Sequence, residues 1–305
     1  MRALCLIACA AILAGCPPPP QPDDDDEVPT PPRVFEDIDS AFELPGDRPV
    51  AVFVPTVYDG KTPLPLLLFL HGYGATGEQM DRFVGMAAFA ERNNFIYATP
   101  DGTLDGSGKT FWNATGACCD FGGTDVDDAA FLRGVIEGAQ EQANIDPKQV
   151  FVIGHSNGGF MAQRLACDAS DVVAGVVSLA GAADGSGGCL PDNGVAVLQV
   201  HGTADETVAY GGGSLGAANY PGAIETVELW ASLNGCDLLG IDDVTPIDIE
   251  ANLAGAETTV TRYDSNCVDG STAELWTTTG GTHVPAPNAT YLQSLWDFLA
   301  AHPKP

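Results

Sequence analysis

Residues 149–168 read QVFVIGHSNGGFMAQRLACD, a segment that passes from a strand-like run through a glycine cluster into a helix-like run. Residues 150–153 are all apolar, which is typical of a strand buried in a parallel sheet. Apolar residues then recur at helical spacing after the glycines. Ser156 lies at the corner between the two runs. Because glycine weakens both strands and helices, the glycines around this serine indicate a tight turn with no room for side chains.

The corner matches the pattern G-x-S-x-G at Gly154 to Gly158, which places a nucleophilic serine on a sharp turn between a strand and a helix. The pattern alone is weakly specific, since Gly212 to Gly216 also matches it around Ser214. Ser214 follows a run of glycines rather than a strand, and Pro221 comes soon afterwards. The context therefore favours Ser156 as the nucleophile.

Strand-like and helix-like stretches alternate along the chain from about residue 49. The apolar runs predict strands over residues 49–55, 64–74, 95–101, 150–154, 172–181, 195–202, 257–263 and 273–279. Helical patterns occupy residues 79–91, 125–145, about 157 onward, 221–234 and 288–301. This alternation predicts the α/β class, with a doubly wound, mostly parallel sheet that carries helices on both faces.

A serine hydroxyl becomes a useful nucleophile only when a base removes its proton and an acid orients that base. In doubly wound hydrolases the base is a histidine that follows the other two residues along the chain. His283 fits, because it follows the last predicted strand in the loop TTTGGTHVPAP. His71 and His201 close earlier strands, His155 adjoins the serine and is expected to point away from it, and His302 is nearly terminal.

The candidate acid is Asp205, which lies just beyond a buried strand in VLQVHGTADETVAY. Glu206 and Asp184 are the alternatives, and Asp184 follows the preceding strand. The oxyanion of the tetrahedral intermediate needs backbone N–H donors. We expect these from Asn157, directly after the nucleophile, and from Tyr73 in the HGYG segment at residues 71–74.

The N-terminal part of the chain predicts export. Residues 1–16 have a short apolar run that ends in Leu-Ala-Gly-Cys, the pattern of a lipoprotein signal peptide with Cys16 as the lipidated residue. The alternative is an ordinary secretory signal with a stray cysteine. Residues 17–33 are rich in proline and aspartate and predict an extended tether. Residues 34–305 then form the catalytic domain, and the membrane is a partner only through the anchor at Cys16.

The composition argues against nucleic acid as a partner and against a metal or cofactor. The chain carries 12 Lys and Arg residues against 41 Asp and Glu residues, a net charge of −29, which disfavours nucleic acid as a partner. No CxxC pair or histidine-rich cluster predicts a metal site, and no cofactor is expected.

Nine cysteines are present, and six remain after the signal peptide: Cys118, Cys119, Cys167, Cys189, Cys236 and Cys267. An even number in an exported domain predicts up to three disulfides. Because adjacent cysteines rarely bond each other, Cys118 and Cys119 are each expected to reach another partner.

Five motifs together resemble the bacterial polyhydroxybutyrate depolymerase and feruloyl esterase family of secreted α/β-hydrolases over about residues 45–300. They are LLLFLHGYGATG, WNATGACCDFGGTDVDDAAFLRGVI, NIDPKQVFVIGHSNGGFMAQRLACD, VLQVHGTADETVAYGGG and GGTHVPAP. The resemblance implies Ser156, Asp205 and His283 as nucleophile, acid and base. The family often has G-G-H-x-W-P near the base, whereas this chain has Thr282 and Val284-Pro285 there, which puts the transfer of its substrate in doubt.

The same resemblance bears on the cysteines and the pocket. It implies a disulfide between Cys236 and Cys267. Cys118, Cys119, Cys167 and Cys189 would then cross-link the loop before the long helix to the core. Trp112 is a candidate pocket residue, although packing alone explains it equally well.

The sequence therefore predicts an exported serine esterase that hydrolyses carboxylic esters through a Ser-His-Asp triad and an acyl-enzyme. Feruloyl or acetyl esters derived from plant polymers, or hydroxyalkanoate oligomers, are the expected substrates, whether small or oligomeric. The alternatives are a serine peptidase of the same fold and a non-catalytic lipoprotein that binds ligands at the cell surface. The oligomeric state does not follow from the sequence.

Overall fold

A computed structural model describes residues 41–216 and 218–305 of the chain. The predicted signal peptide, the tether and the lipidation site Cys16 lie outside these described residues. Within them, every helix is too short or too polar to cross a bilayer.

The described chain alternates between strands and helices. The strands are β1 (Ala41–Leu44), β2 (Val50–Phe53), β3 (Leu64–Leu70), β4 (Ile96–Ala98), β5 (Thr103–Leu104), β6 (Thr110–Phe111), β7 (Ile145–His155), β8 (Gly175–Leu179), β9 (Ala196–Gly202), β10 (Gly213–Leu215), β11 (Ala218–Tyr220), β12 (Ile241–Asp242), β13 (Thr258–Tyr263) and β14 (Ala273–Thr278). The helices are α1 (Gly77–Val84), α2 (Met86–Asn93), α3 (Asp128–Gln142), α4 (Asn157–Asp168), α5 (Ala223–Leu233) and α6 (Tyr291–Ala300), with a 3₁₀ turn at Val268–Gly270.

Ten strands form one sheet in the order β1-β2-β4-β3-β7-β8-β9-β14-β13-β12. The six from β4 to β14 run parallel, and the outer strands at both edges pair antiparallel. The carboxyl ends of β7, β9 and β14 therefore open on the same edge of the sheet, where ligand sites of such folds form.

Alternate residues of each strand face opposite sides of the sheet, so the sheet has two cores. In β3, Leu66, Leu68 and Leu70 join one apolar cluster, whereas Leu67 and Phe69 join the other. The first cluster is completed by α3, α4 and α5, and the second by α2 and α6. The predicted α/β fold with helices on both faces is confirmed.

The structure differs from the sequence predictions in several local elements. The helix predicted over residues 79–91 is two helices, because Gly85 between them adopts a left-handed φ of 72° that ends the first. No pattern in the sequence predicted the edge strands β1 and β12 or the hairpins β5–β6 and β10–β11. Most of these strands have only two or three residues, too few to show an alternating pattern.

The described cysteines form three disulfides: Cys118–Cys119, Cys167–Cys189 and Cys236–Cys267. The expectation that Cys118 and Cys119 each reach a distant partner was wrong. The other four cysteines pair among themselves, which leaves the two neighbours only each other. The Cys167–Cys189 bridge ties the end of α4 to the loop after β8, and not to the loop before α3. The pair Cys236–Cys267 is present as the resemblance implied, with Cα atoms 4.0 Å apart.

Candidate active site

Ser156 occupies a strained corner between β7 and α4. Its φ of 56° and ψ of −120° lie outside the regions that L-residues normally adopt, a cost usually met only where function requires it. The neighbouring glycines permit the corner, since an added Cβ at Gly154 would lie 2.0 Å from the Gly158 carbonyl oxygen. An added Cβ at Gly158 would lie 2.2 Å from the carbonyl oxygen of Leu70. Only glycine fits at either position.

The structure brings Ser156, His283 and Asp205 into one hydrogen-bonded row. Nε2 of His283 lies 2.9 Å from Oγ of Ser156, and Nδ1 lies 2.8 Å from Oδ2 of Asp205. Because a carboxylate only accepts, Nδ1 carries the hydrogen and donates it to Asp205. In the neutral ring, Nε2 then carries no hydrogen and accepts from the serine hydroxyl. This is the protonation state in which a histidine can act as a base.

Asp205 is fixed by donors on both carboxylate oxygens. Its Oδ1 accepts from the backbone amides of Thr207, at 2.8 Å, and Val208, at 2.9 Å. Burial by itself would raise the pKa of Asp205, but hydrogen bonds from His201, His283 and Val208 outweigh it and hold the pKa well below its usual range. The carboxylate therefore stays charged opposite the histidine.

Behind Asp205 lies a buried polar network that the sequence analysis did not predict. Nδ1 of His201 accepts from the Gln199 side-chain amide at 3.0 Å, so the ring hydrogen is on Nε2. Nε2 donates to the Val208 carbonyl at 2.8 Å and lies 3.4 Å from Oδ2 of Asp205. Gln199 in turn accepts from Gln163 at 3.0 Å. The position of His201 in the chain argues against its being the base, but its ring lies within 3.4 Å of the Asp205 carboxylate and helps to hold it.

The loop that carries Asp205 and the loop that carries His283 meet backbone to backbone. An added Cβ at Gly202, the last residue of β9, would lie 2.1 Å from the carbonyl oxygen of Gly281. The Ala204 amide donates to that same oxygen at 2.9 Å. The spacing between Asp205 and His283 is therefore set by main-chain contacts that only a glycine at residue 202 allows.

The ring of His155, which is expected to point away from Ser156, contacts the loop that carries His283. Its Nε2 donates to the backbone carbonyl of His283 at 2.8 Å. Burial lowers the pKa of His155 to about 4, so the ring is neutral near pH 7. The partner lies 128 residues away in the chain, so no local sequence pattern could indicate the contact.

The segment HGYG lies directly against the nucleophile candidate. An added Cβ at Gly72 would lie 3.3 Å from Cβ of Ser156. Nδ1 of His71 donates to the Gly72 carbonyl at 2.8 Å, and Nε2 accepts from the Gly102 amide at 2.9 Å. Because a trans peptide points its C=O and N–H in opposite directions, His71 also fixes the direction of the Tyr73 N–H.

The second predicted donor is the amide of Asn157, the first residue of α4. As the first residue of the helix it has no intrahelical acceptor, so its N–H is free to bind an anion. Its side chain is engaged with Trp112, accepting from the backbone amide at 2.7 Å and donating to the carbonyl at 2.9 Å.

An apolar cavity of about 350 Å³ opens beside Ser156. Its wall is formed mainly by α1 and by the residues around the base, including Met80, Phe83, Val84, Val284 and Pro285. None of the described residues that line it is an aspartate, a glutamate, a lysine or an arginine. The cavity suits an uncharged, apolar group attached to the reacting carbonyl.

Several sequence candidates lie elsewhere. Trp112 does not line the cavity beside Ser156: its side chain is fully buried, and its indole N–H donates to the His71 carbonyl at 3.0 Å. The Asp184 carboxylate accepts from Ser186, and Glu206 is exposed. Ser214 lies in the exposed hairpin β10–β11 and donates to Asn219.

Comparison with known proteins shows the family to which the chain belongs. The alpha/beta hydrolase family model matches residues 67–291, which is most of the chain. The chain belongs to the alpha/beta hydrolase family. The resemblance drawn from the sequence is confirmed at this level.

Among curated proteins, the chain is 29% identical to feruloyl esterase B of Piromyces equi over 261 residues, which cover 83% of this chain and 45% of that protein. It is 30% identical to the putative esterase NocK of Nocardia uniformis subsp. tsuyamanensis over 223 residues, covering 69% and 62%. The chain thus spans about half to three fifths of these relatives. The solved structure of an acetyl xylan esterase from Aspergillus awamori has the same fold, with a TM-score of 0.60, 16% identity, and coverage of 86% and 99%.

Proposed function

We propose that this chain is an exported serine esterase that hydrolyses carboxylic esters. The observation that carries the proposal is the row of Ser156, His283 and Asp205, joined by hydrogen bonds of 2.9 and 2.8 Å beside an apolar cavity. Nucleophile and base within hydrogen-bond reach, with the base oriented by a third group, is the arrangement that nucleophilic ester hydrolysis requires.

In the proposed reaction, Oγ of Ser156 attacks the ester carbonyl carbon while Nε2 of His283 takes the hydroxyl proton. The tetrahedral intermediate collapses, the bond to the leaving alcohol breaks, and His283 returns the proton to that alcohol. Water then attacks the acyl-serine while the same nitrogen takes one of its protons. The bond to Oγ breaks, the proton passes to Oγ of Ser156, and the carboxylic acid leaves. Asp205 stays ionised throughout and holds the ring in the tautomer that accepts the proton.

The backbone amides of Tyr73 and Asn157 are proposed to stabilise the negative charge that develops on the oxygen of the tetrahedral intermediate. The first is oriented by His71 through the Gly72 carbonyl, and the second lies at the N-terminus of α4, where the helix dipole favours an anion. Both donors are main-chain amides fixed by the fold, one by the start of α4 and one by the His71 contact, so little reorganisation is needed when charge develops.

The cavity beside Ser156 supports an aromatic acyl group over acetyl. A volume of about 350 Å³ with apolar walls accommodates a hydroxycinnamoyl ring, whereas an acetyl group leaves most of it empty. A relative named feruloyl esterase agrees with this choice. Acetyl esters and hydroxybutyrate oligomers remain the alternative substrates.

Export is supported by the three disulfides, since such bonds persist in oxidising compartments. A lipid anchor at Cys16 belongs to the same proposal. Mass spectrometry of the N-terminal peptide after expression in a lipoprotein-processing bacterium tests it, and an unmodified Cys16 in the mature protein contradicts it.

The test of activity compares methyl ferulate, a p-nitrophenyl acetate reporter, acetylated xylan and hydroxybutyrate oligomers. Ser156→Ala should lower kcat by a factor of roughly 10⁴ to 10⁶, and Ser214→Ala should leave it unchanged. Hydrolysis that survives Ser156→Ala contradicts the nucleophile assignment.

The outcome also separates the alternative functions. Peptide cleavage without ester hydrolysis would identify a serine peptidase. Inertness toward every ester, together with no labelling of Ser156 by a fluorophosphonate, would identify a non-catalytic binding protein.

A further inference from the structure

The loop between β14 and α6, residues 279–290, carries the proposed base and is called the base loop below. Directly after His283 it supplies Val284 and Pro285 to the wall of the apolar cavity. Before His283, main-chain contacts hold the loop against the loop of Asp205. Because the position of a residue within a loop depends on what holds both of its flanks, the contacts made after His283 matter equally.

Segment 247–251, between β12 and β13, lies alongside the part of the base loop that follows the base. The Ala251 amide donates to the Ala286 carbonyl at 2.7 Å. In the opposite direction, the Asn288 amide donates to the Ile249 carbonyl at 3.0 Å. Two stretches of backbone that are well separated in the chain are thereby paired just beyond the base.

Glu250, within this segment, adds a side-chain contact to the same stretch of the base loop. Its Oε2 accepts from the Ala286 amide at 2.8 Å, three residues beyond His283. Since proline has no N–H, Ala286 carries the only amide hydrogen between Pro285 and Pro287. The carboxylate therefore binds the one backbone donor that these three residues offer.

Glu250 is itself held in place. The backbone amides of Glu250 and Ile249 both donate to Oε1 of Glu257, each at 3.1 Å. Ile249 is buried in the apolar cluster that α6 completes. The side chain of Glu250 is also buried, with the residue only 7% exposed. Burying a carboxylate costs free energy unless it is hydrogen-bonded, so this contact indicates a role beyond filling space.

Glu250 also lies close to the base, because both residues line one small cavity of about 20 Å³. From these contacts we propose that Glu250 is a positioning residue, which holds His283 within reach of Ser156. The same contact keeps Val284 and Pro285 in the wall of the apolar cavity. This inference rests on the proposed esterase function, since it assigns Glu250 a part in that reaction.

The first test is Glu250→Leu, which removes the acceptor and leaves an apolar side chain. The base loop should then shift, and kcat should fall by a factor of about 10 to 100 on p-nitrophenyl acetate and methyl ferulate alike. KM should rise at least about threefold for methyl ferulate and stay constant for p-nitrophenyl acetate. The reason for this difference is that only the larger acyl group fills the cavity as far as Val284 and Pro285.

The second test is rescue by Glu250→Gln. The glutamine side chain keeps a carbonyl oxygen that can accept from the Ala286 amide, so kcat should stay within about twofold of the parent value. A role that depends on the charge of residue 250 predicts instead that both variants lose activity. An equal loss of kcat in Glu250→Gln and Glu250→Leu would therefore overturn the proposal.

Glu274→Leu is the matched control. Glu274 is another buried glutamate, on β14, where it accepts from the Trp276 indole at 3.2 Å and lies 3.3 Å from the Arg262 guanidinium. Its replacement should lower the free energy of unfolding but leave kcat and KM unchanged below the unfolding transition. Equal falls of kcat in Glu250→Leu and Glu274→Leu, or unchanged kcat in Glu250→Leu, would each overturn the proposal.

A measurement that needs no turnover separates this inference from the proposed function. Hydrogen exchange of residues 284–288, followed by mass spectrometry, should be faster in Glu250→Leu than in the parent and in Glu250→Gln, since only the leucine variant deprives the Ala286 amide of its acceptor. If this difference appears in a protein that hydrolyses no ester, the function proposed for Ser156 is disproved and the support of the base loop stands. Equal exchange in all three proteins overturns the inference whatever their activity.

Discussion

The ring of His155 donates a hydrogen bond to the backbone carbonyl of His283, 2.8 Å away. The residue directly before the proposed nucleophile thus holds the loop of the proposed base. The two rings also pack together, with centroids 5.1 Å apart. Because the ring of His155 is almost fully buried, its protonation must affect the stability of this corner.

The first prediction concerns acid sensitivity. The pKa of His155 is lowered to about 4 in the folded chain, so the unfolded chain binds more protons between about pH 6.5 and that value. The free energy of unfolding therefore falls as the pH falls through this window. Between about pH 7 and pH 4.5, His155 should account for a loss of roughly 2–3 kcal/mol, measured by denaturant unfolding at each pH.

His155→Gln should flatten this pH dependence, because its amide can still donate to the His283 carbonyl but does not titrate. His302→Gln is the matched control and should leave the slope unchanged, since His302 is partly exposed near residue 305. Equal slopes for His155→Gln and the parent would contradict the assignment. Burial lowers the pKa of His71 too, which contributes in the same direction in every variant.

The second prediction concerns His71, which orients the Tyr73 amide through the Gly72 carbonyl. His71→Leu should lower kcat by a factor of about 10 to 10³ and change KM little, because the Tyr73 amide is no longer held toward the transition-state oxyanion. His71→Asn should recover part of kcat, since its amide can replace the Nδ1 donor. Steady-state kinetics on p-nitrophenyl acetate measures both, and a change in KM alone would contradict the role.

The third prediction concerns Gly202. A Cβ at this position would lie 2.1 Å from the Gly281 carbonyl oxygen, so the acid and base loops must move apart in Gly202→Ala. We expect kcat to fall by at least about tenfold with all three triad residues intact, because small misplacements of reacting groups are costly. Gly211→Ala is the control, since an added Cβ there meets nothing within 4 Å. Unchanged kcat in Gly202→Ala would show that the contact is not required.

The fourth prediction concerns the Cys236–Cys267 disulfide, which joins residues 31 positions apart. Replacing both cysteines with alanine should lower the free energy of unfolding by about 2–4 kcal/mol, mainly through the greater freedom of the unfolded chain. Denaturant unfolding under non-reducing conditions measures the change. The Cys167–Cys189 bridge closes a shorter loop, of 22 positions, so the same double replacement there should cost slightly less. A double variant as stable as the parent would contradict the prediction.

The main elements of the fold were predictable from sequence because buried parallel strands are continuous apolar runs. The sharp turn at Ser156 was predictable because a cluster of glycines between an apolar run and a helical pattern indicates a strand–turn–helix junction. The contact of His155 was not, since its acceptor lies 128 residues away in the chain. His71 and His201 bond nearer neighbours, but what those bonds orient becomes visible only when the fold places Gly72 beside Ser156 and Asp205 beside His283. The break at Gly85 was hidden because the apolar pattern continues across it.

The three residues proposed for catalysis follow β7, β9 and β14, which lie together in the sheet with β8 between the first two. A partly folded chain in which β14 has not yet docked contains the serine but has no base beside it. Such an intermediate would lack esterase activity until β14 pairs with β9. Recovery of catalytic turnover after dilution from denaturant would consequently report the final closure of the sheet, and should trail the return of helical circular dichroism.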